Sequence, residues 1–593
     1  MMKKLVLLMV GLSLCLLGDV GQVNAMGFEL SEDVKLDVDV ELKYIGAWRM
    51  KDQDDELLGV NSDDGNRSFD KNDMIYNKYS VIADMDLQYK NLGLFARPRA
   101  YYDAVYDGNN ANKSITNNNL SMYGGPLSAS DQFMDETEDQ HRDKAEVLDL
   151  FVYGQFELGE SQYLDLRVGR QVVSWGESLY VQNGVASAML PLDATASVAP
   201  GTALKEIFLP VEQVYAQYDV GNGLSLSGYY QWEWDKSRLP EQGSYFSDSD
   251  GIDSAGRRYL NSVEDTAMEK TGDDNPKDDG QFGLALRYWA EALNDTEFGF
   301  YYANYHDKYP IIKFEPGNYS KAAYGGSGTY SPTAQFLGEN PVPAFGPTPL
   351  GLPVAAGVLG GWGNAPVYGF TPPGTYLPLD AVALEDAAGL NYADLSGYHL
   401  EYVENIQLIG ASFGTRIGDT NVGGEVTYRH DLPIQIEDLG TLAAPNLLGF
   451  DYVEGDAVQL QLSAIHSYGV TSFWDQLMLK GEVGYNHVTG YGNATLTADQ
   501  DAWGGTVVAE ADYYQVLKGL DMTASLSYGF NPNGTSSLAA SFAEDADDIV
   551  YGLDFTYLID YMFGVQYVDY LGDPEDNEKA DRDYLAVTFK YTF

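Results

Sequence analysis

Apolar and polar positions alternate with a period of two along most of the chain. Val34, Leu36, Val38, Val40, Leu42 and Tyr44 alternate with Lys35, Asp37, Asp39, Glu41 and Lys43. At the other end Leu585, Val587, Phe589, Tyr591 and Phe593 alternate with Tyr584, Ala586, Thr588, Lys590 and Thr592. Such alternation is the signature of a strand with one apolar face. The same pattern predicts strands at Tyr79–Tyr89, Leu94–Tyr106, Val147–Leu158, Tyr163–Val173, Val211–Tyr218, Leu224–Trp234, Phe282–Tyr288 and Phe298–Tyr305. It continues at Tyr402–Ile417, Val422–His430, Val458–Tyr468, Leu477–Tyr485, Thr506–Val516, Met522–Phe530, Val550–Tyr557 and Tyr561–Tyr570. This makes about 18 strands, with a range of roughly 16 to 20, each long enough to cross a bilayer at a tilt, for which about 9 to 11 residues suffice. Short turns, such as Gly221–Gly223 and Gly418–Asn421, alternate with long, mostly acidic loops.

A strand of this kind fits a soluble sandwich or a membrane barrel. The asymmetry of short turns and long loops favours a barrel, with the short turns facing the periplasm and the long loops facing out. On Leu224–Trp234 the apolar parity ends in Tyr230, Trp232 and Trp234, as an interfacial aromatic belt would. The closing stretch, ending on Phe593, resembles the last strand of bacterial outer-membrane barrels. The start, MMKKLVLLMVGLSLCLLGDVGQVNA, has a basic opening, an apolar run from Leu5 to Leu17, and Val23 and Ala25 before Met26. It reads as a secretory signal peptide over residues 1–25. Cys15 within it is the only cysteine, so residues 26–593 hold no disulfide or thiolate site. No later run reaches 18 apolar residues, which leaves a barrel as the only way to span.

The 88 acidic and 35 basic residues give a formal charge of -53. That excludes a nucleic-acid partner, whose phosphates need positive surface. The 45 Tyr and 63 Gly suit a girdled barrel with large loops. Catalytic constellations are missing. His141, His306, His399, His430, His466 and His487 form no HxxxH or HExxH pair, and there is no GxSxG elbow. We therefore expect no enzyme and no cofactor. Asp248, Asp250 and Asp253 form DxDGxD, a fragment of a calcium loop without its distal glutamate, and are a weak calcium candidate.

Some stretches stand apart. Pro98 interrupts its strand between Arg97 and Arg99 and predicts a bulge, with the two arginines facing a lumen or pairing with nearby acids. Residues 309–393 are rich in Gly, Pro and Ala and poor in charge; we expect them to cap or enter the barrel mouth, with a short helix at Ala381–Ala388. Leu179–Pro200 is also weakly charged and could fold into the lumen as part of a constriction.

Three separated motifs carry a family resemblance. They are LRVGRQVVSWGESL at 166–179, PGTALKEIFLPV at 200–211, and YYQWEW at 229–234 followed by GSYF at 243–246. The chain resembles a domain-of-unknown-function family of large Gram-negative outer-membrane β-barrels. The resemblance implies association with proton-driven inner-membrane exporters of lipid or other hydrophobic products, and with a periplasmic carrier protein. It implies no site residues. From the residues themselves, Gly169, Trp175, Gly176, Pro200 and Gly201 are structural candidates, the glycines permitting close approach or bends. Arg97, Arg99, Arg167, Arg170 and Gln171 are candidates for the lumen wall or a constriction, Arg167 sharing parity with Asp165.

The expectation is an all-β fold: a single large antiparallel transmembrane barrel, with long outer loops partly folded over or into the lumen. It would sit in outer-membrane lipid and lipopolysaccharide. The function expected first is a passive conduit for a lipid or other hydrophobic substrate. The alternatives are a diffusion porin for small polar or cationic solutes and a structural or adhesive surface barrel.

Overall fold

The computed structural model describes residues 26–59, 61–114, 131–261, 266–315, 319–320, 329–330, 397–438, 449–539 and 541–593. The expected signal peptide, the helix at 381–388 and most of the 309–393 segment lie outside the described residues.

Eighteen strands close into one antiparallel barrel. We number them in chain order: β1 Val34–Arg49, β2 Met74–Tyr89, β3 Leu92–Asp103, β4 Asp143–Gly159, β5 Gln162–Gln171, β6 Val211–Gly221, β7 Leu224–Gln231, β8 Gln281–Ala290 and β9 Thr296–Tyr305. The second half is β10 Ile406–Ile417, β11 Thr420–Asp438, β12 Gly449–Tyr468, β13 Gln476–Thr489, β14 Asp501–Leu517, β15 Leu520–Asn533, β16 Asp548–Tyr557, β17 Tyr561–Tyr570 and β18 Tyr584–Thr592. Each strand pairs with its sequence neighbour. Strands β1 and β18 close the ring in register from Glu41 opposite Thr592 to Arg49 opposite Tyr584. The Phe593 N–H donates to the Val40 carbonyl at 3.0 Å and fastens the carboxy terminus to the first strand. Met26–Ser31 folds back on the start of β1.

The side-chain parities divide as the sequence requires. Lys43, Ile45, Ala47 and Arg49 of β1 are buried inside. The outer face carries exposed Leu, Val and Phe such as Leu94, Val152, Leu284, Phe300, Leu462 and Leu526. Aromatic rings flank this band. Tyr89, Tyr288, Tyr468 and Tyr557 lie toward the short-turn rim; Tyr230, Tyr428, Tyr485, Trp503 and Tyr528 lie toward the long-loop rim, all exposed. An apolar band between two aromatic girdles is the lipid-facing surface of an outer-membrane barrel.

The strand ends differ from the pattern in places. Strand β3 ends at Asp103 rather than running to 106, because the Asp103 carboxylate accepts the Val105 N–H at 3.0 Å and starts a helical turn. Residues 397–401 do not extend β10 down to Tyr402. They pair instead with Ile311–Glu315 and Thr266–Asp274 in a small separate sheet joined by Arg258–Asn261. Strands β11 and β12 run past the expected His430 and Val458 and stay paired to Asp438 and Gly449, beyond a bulge between Arg429 and Leu432. The apolar residues there, Leu432 and Ile434, pack among Tyr305, Ile311 and Val403, so the ladder continues above the membrane. Register breaks between Ala96 and Pro98 on β3, as a proline without an N–H demands.

Candidate functional site: a chain segment across the lumen

The loop between β5 and β6, residues 172–210, does not leave the barrel; it turns inward. Trp175 opens it, its ring 5.2 Å from that of Tyr229 and 6.0 Å from that of Tyr301, both on the inner wall. The chain then meets β11. Glu425 accepts the backbone N–H of Glu177 at 2.9 Å and of Val185 at 2.6 Å. On β13, Glu482 accepts the N–H groups of Leu179, Tyr180 and Val181 at 3.1, 2.5 and 2.7 Å. Arg429 donates to the carbonyl of Gly184 at 3.2 Å and to the Ser187 hydroxyl at 2.6 Å, and Gln459 donates to the Gln182 carbonyl at 2.6 Å. A chain inside a barrel must have its peptide groups satisfied. Here charged wall residues do it, through charge-assisted bonds stronger than neutral ones.

The segment then recrosses. Gln231 on β7 donates to the Met189 carbonyl at 2.6 Å. Asp193 meets Arg99 on β3 at 3.2 Å, and Arg99 also holds Glu146 at 2.6 Å. Arg238, from the loop after β7, adds pairs to Glu146 at 2.7 Å and to Asp193 at 3.6 Å. Burial alone would push the Asp193 carboxyl up; the Arg99 and Arg238 guanidinium groups outweigh it and hold it below the usual carboxylate range. Glu206 ends the crossing against Lys43 on β1 at 2.5 Å. Strands β1, β7 and β13 stand six places apart around the ring of eighteen, so the segment is anchored on three walls a third of the circumference apart. Between the anchors Val185, Ala188, Met189 and Leu190 pack with Trp175, Tyr215, Tyr229, Tyr301, Ile406 and Leu408. This core explains why the stretch is so poor in charge.

Of the residues expected at the lumen wall, Arg99 is in this network. Arg97 is close by, paired with Asp84 at 2.5 Å and Asp149 at 2.9 Å. Gln171 is fully buried; its side-chain amide donates to the Gln213 backbone carbonyl at 3.0 Å and that of Gln213 donates to the Gln171 carbonyl at 2.7 Å, so it builds the wall where the segment departs. Arg167 faces the lumen, exposed, its guanidinium 5.2 Å from the Tyr215 ring, with no ion pair among the described residues. Arg170 is a correction. It shares parity with outward Val168, stands opposite outward Leu150 and pairs with Glu233 at 2.9 Å, so it is on the outer side of the rim and not on the lumen wall. The odd offset from Arg167 to Arg170 decides this, since period two sends odd and even positions to opposite faces.

The structural candidates Gly176, Gly201 and Gly169 lie at positive φ. Gly176 has φ +99°, and a Cβ there would collide with the Glu425 carboxylate. Gly201 has φ +66°, and its carbonyl accepts from Lys43 Nζ at 3.3 Å, so the Pro200–Gly201 turn sits within the lumen before the chain reaches β6. Gly169, at φ +130°, lies against the Leu150 carbonyl. Sequence reasoning missed Glu425, Arg429 and Glu482. Each is an inward charge on an apolar-alternating strand, and nothing local says that its partner is a backbone some 240 to 300 positions away. Gly176→Ala should dislodge the segment from Glu425; faster hydrogen exchange at Glu177 and Val185, with the barrel intact, is the expected result.

The three calcium candidates are not gathered. Asp248 is exposed, Asp253 pairs with Lys236 at 2.6 Å, and Asp250 is buried against the first outer loop. Near Asp253, burial and the Asp253 charge raise the Glu241 carboxyl to about 8. A raised acid favours the folded loop below its unfolded value near 4.5 and loses that advantage as pH rises through 8. Limited proteolysis of residues 232–257 is therefore expected to accelerate from about pH 6 to about pH 9.

The family described as "Protein of unknown function (DUF1302)" matches residues 6–593. The chain belongs to this family. No curated protein matches it. Among solved structures, OccAB1 of Acinetobacter baumannii aligns over 97% of this chain and 99% of its own at 10% identity, with a TM-score of 0.41. OccAB3 of the same organism aligns over 94% and 99% at 11% identity and TM-score 0.38. The Salmonella typhi OmpF complex with daunomycin aligns over 96% and 100% at 10% identity and TM-score 0.34. This DUF1302 member is an outer-membrane β-barrel whose lumen is narrowed by its own chain, between residues 172 and 210.

Proposed function

We propose that the protein is a passive diffusion channel for small polar solutes, with a preference for cations. The supporting observation is the constricting segment held by charged wall residues. Its anchors, Lys43, Arg99, Glu425, Arg429 and Glu482, all project from the inner parity. A wall built of charges around an aqueous path suits hydrated solutes and repels acyl chains. Acidic residues outnumber basic ones on the chain, and fixed negative charge near a narrow path enriches cations there. Arg167 is an exposed positive charge on the inner wall. Arg167→Glu should move the reversal potential in a salt gradient further toward the cation limit without changing the barrel's stability.

Single-channel recording of the mature protein in a planar bilayer tests the proposal. A steady, small, cation-selective conductance is expected. Silence in the intact protein and also after Glu425→Ala with Glu482→Ala would overturn it.

The second reading is a conduit for a lipid or other hydrophobic product, supplied by a periplasmic carrier and an inner-membrane exporter. An apolar hollow of about 560 Å³ on the lipid-facing wall, lined by Ala216, Leu226, Gly228, Leu284, Phe300 and Tyr302, favours it. The strands under that hollow, β6 to β9, remain paired along their length, which gives a lipid no lateral exit there. Binding of a radiolabelled phospholipid to the detergent-free protein, lost on Gly228→Trp, would favour this reading over the first.

A further inference from the structure

The outer loops hold a second assembly of charge, separate from the constriction. Asp63 and Asp64 lie in the loop between β1 and β2, at the start of the helical turn Asp64–Arg67. Asp250 comes from the loop between β7 and β8. One carboxylate oxygen from each lies within 4.8 Å of the others, and each residue is about 1% exposed. Their donors are few. Asp250 Oδ2 accepts the N–H of Asp63 at 3.1 Å and of Asp64 at 3.4 Å. Asp64 accepts from Asn112 Nδ2 at 2.9 Å and Gln242 Nε2 at 2.6 Å. Arg67 pairs with Asp63 through its Oδ2.

Two oxygens are left over. Asp63 Oδ1 and Asp250 Oδ1 are both out of solvent and have no donor. Asn66 Oδ1 and Ser244 Oγ, on the two segments that meet here, are in the same condition. The segments touch at Gly65, where a Cβ would run into the carbonyls of Ser244 and Ser247. Buried carboxylate oxygens without donors are costly, and both Asp63 and Asp250 present one here.

We propose that Asp63, Asp64 and Asp250 bind a calcium ion that clamps the first long outer loop to the loop after β7. The donors are all oxygen, the choice of a hard cation. Magnesium sheds its waters reluctantly, so three carboxylates that are each about 1% exposed suit calcium better. The ion also explains how a chain of charge -53 can pack carboxylates together at its outer mouth.

The test uses the full mature protein folded in detergent and calcium ions alone, at about 0.15 M sodium chloride so that diffuse binding is screened. Equilibrium dialysis is expected to find one calcium ion fewer per chain in Asp250→Asn than in the wild type. Asp248→Asn, two residues away and exposed, should keep the wild-type number. Equal binding by Asp250→Asn and wild type would overturn the proposal, and so would displacement of the ion by equimolar magnesium. Should Asp250→Asn fail to fold, judged by heat-modifiable gel mobility, the wild type answers alone. A calcium chelator should speed proteolytic cleavage within 50–73 several-fold, and unchanged cleavage would overturn the clamp.

Discussion

Replacing Glu425 and Glu482 together by alanine should raise single-channel conductance several-fold while leaving the barrel folded. The two carboxylates accept five backbone N–H groups from residues 177–185. Hydrogen bonds to a charged acceptor contribute about 1.5 to 3 kcal/mol each, and an N–H left buried without a partner costs about 1 to 3 kcal/mol. No other side chain offers an anion to Leu179, Tyr180 or Val181 among the described residues. With both anchors removed, those N–H groups are satisfied best by water, and the segment must leave the β11–β13 wall to reach it. The wall itself does not depend on the two side chains, since strands β11 to β13 are joined by long backbone ladders. Single alanine variants should give intermediate, noisier conductance. Conductance unchanged in the double variant would mean that residues 177–185 do not limit the path.

The second large effect is expected at Arg99. Its guanidinium is 4% exposed and holds Glu146, Asp193 and the Glu206 carbonyl together. Arg99→Ala leaves buried Asp193 and half-buried Glu146 with Arg238 as their one guanidinium among the described residues. Breaking one partner out of a buried pair typically costs about 3 to 5 kcal/mol, because the remaining charge is stranded in low dielectric. The loss should be local. Hydrogen exchange through residues 193–206 should rise steeply, while exchange in β1 and β18 stays slow. Arg99→Lys should recover only part, since an ammonium lacks the planar fork that reaches Glu146 and Asp193 at once. Uniform destabilisation of barrel and segment together would contradict the independence of the wall from the constriction.

Much of the architecture was legible in the alternation of side chains. All eighteen strands are recognisable from period two, since a strand with one face in lipid must repeat apolar residues at every second position. The bulge at Pro98, the turn at Pro200–Gly201 and the inward course of Leu179–Pro200 also followed from local chemistry: a missing N–H, a left-handed glycine, and a loop too poor in charge for open water. Arg170 shows the limit. Its charge and its nearness in sequence group it with Arg167 and Gln171, yet the pleat turns it to the outer rim.

The sequence by itself determined the class of fold and the lipid-facing and lumen-facing parities. Each of these depends on interactions between near neighbours or on transfer from water to lipid, and so is written in local pattern. Only the tertiary structure decided that Glu425, Arg429 and Glu482 hold residues 177–187, that Arg99 meets Asp193, and that Asp63 and Asp64 face Asp250 rather than Asp248 and Asp253 doing so together. Ring closure sets those encounters, bringing residues hundreds of positions apart within a few ångströms. A charge on one strand carries no local mark of the partner that closure will place opposite it.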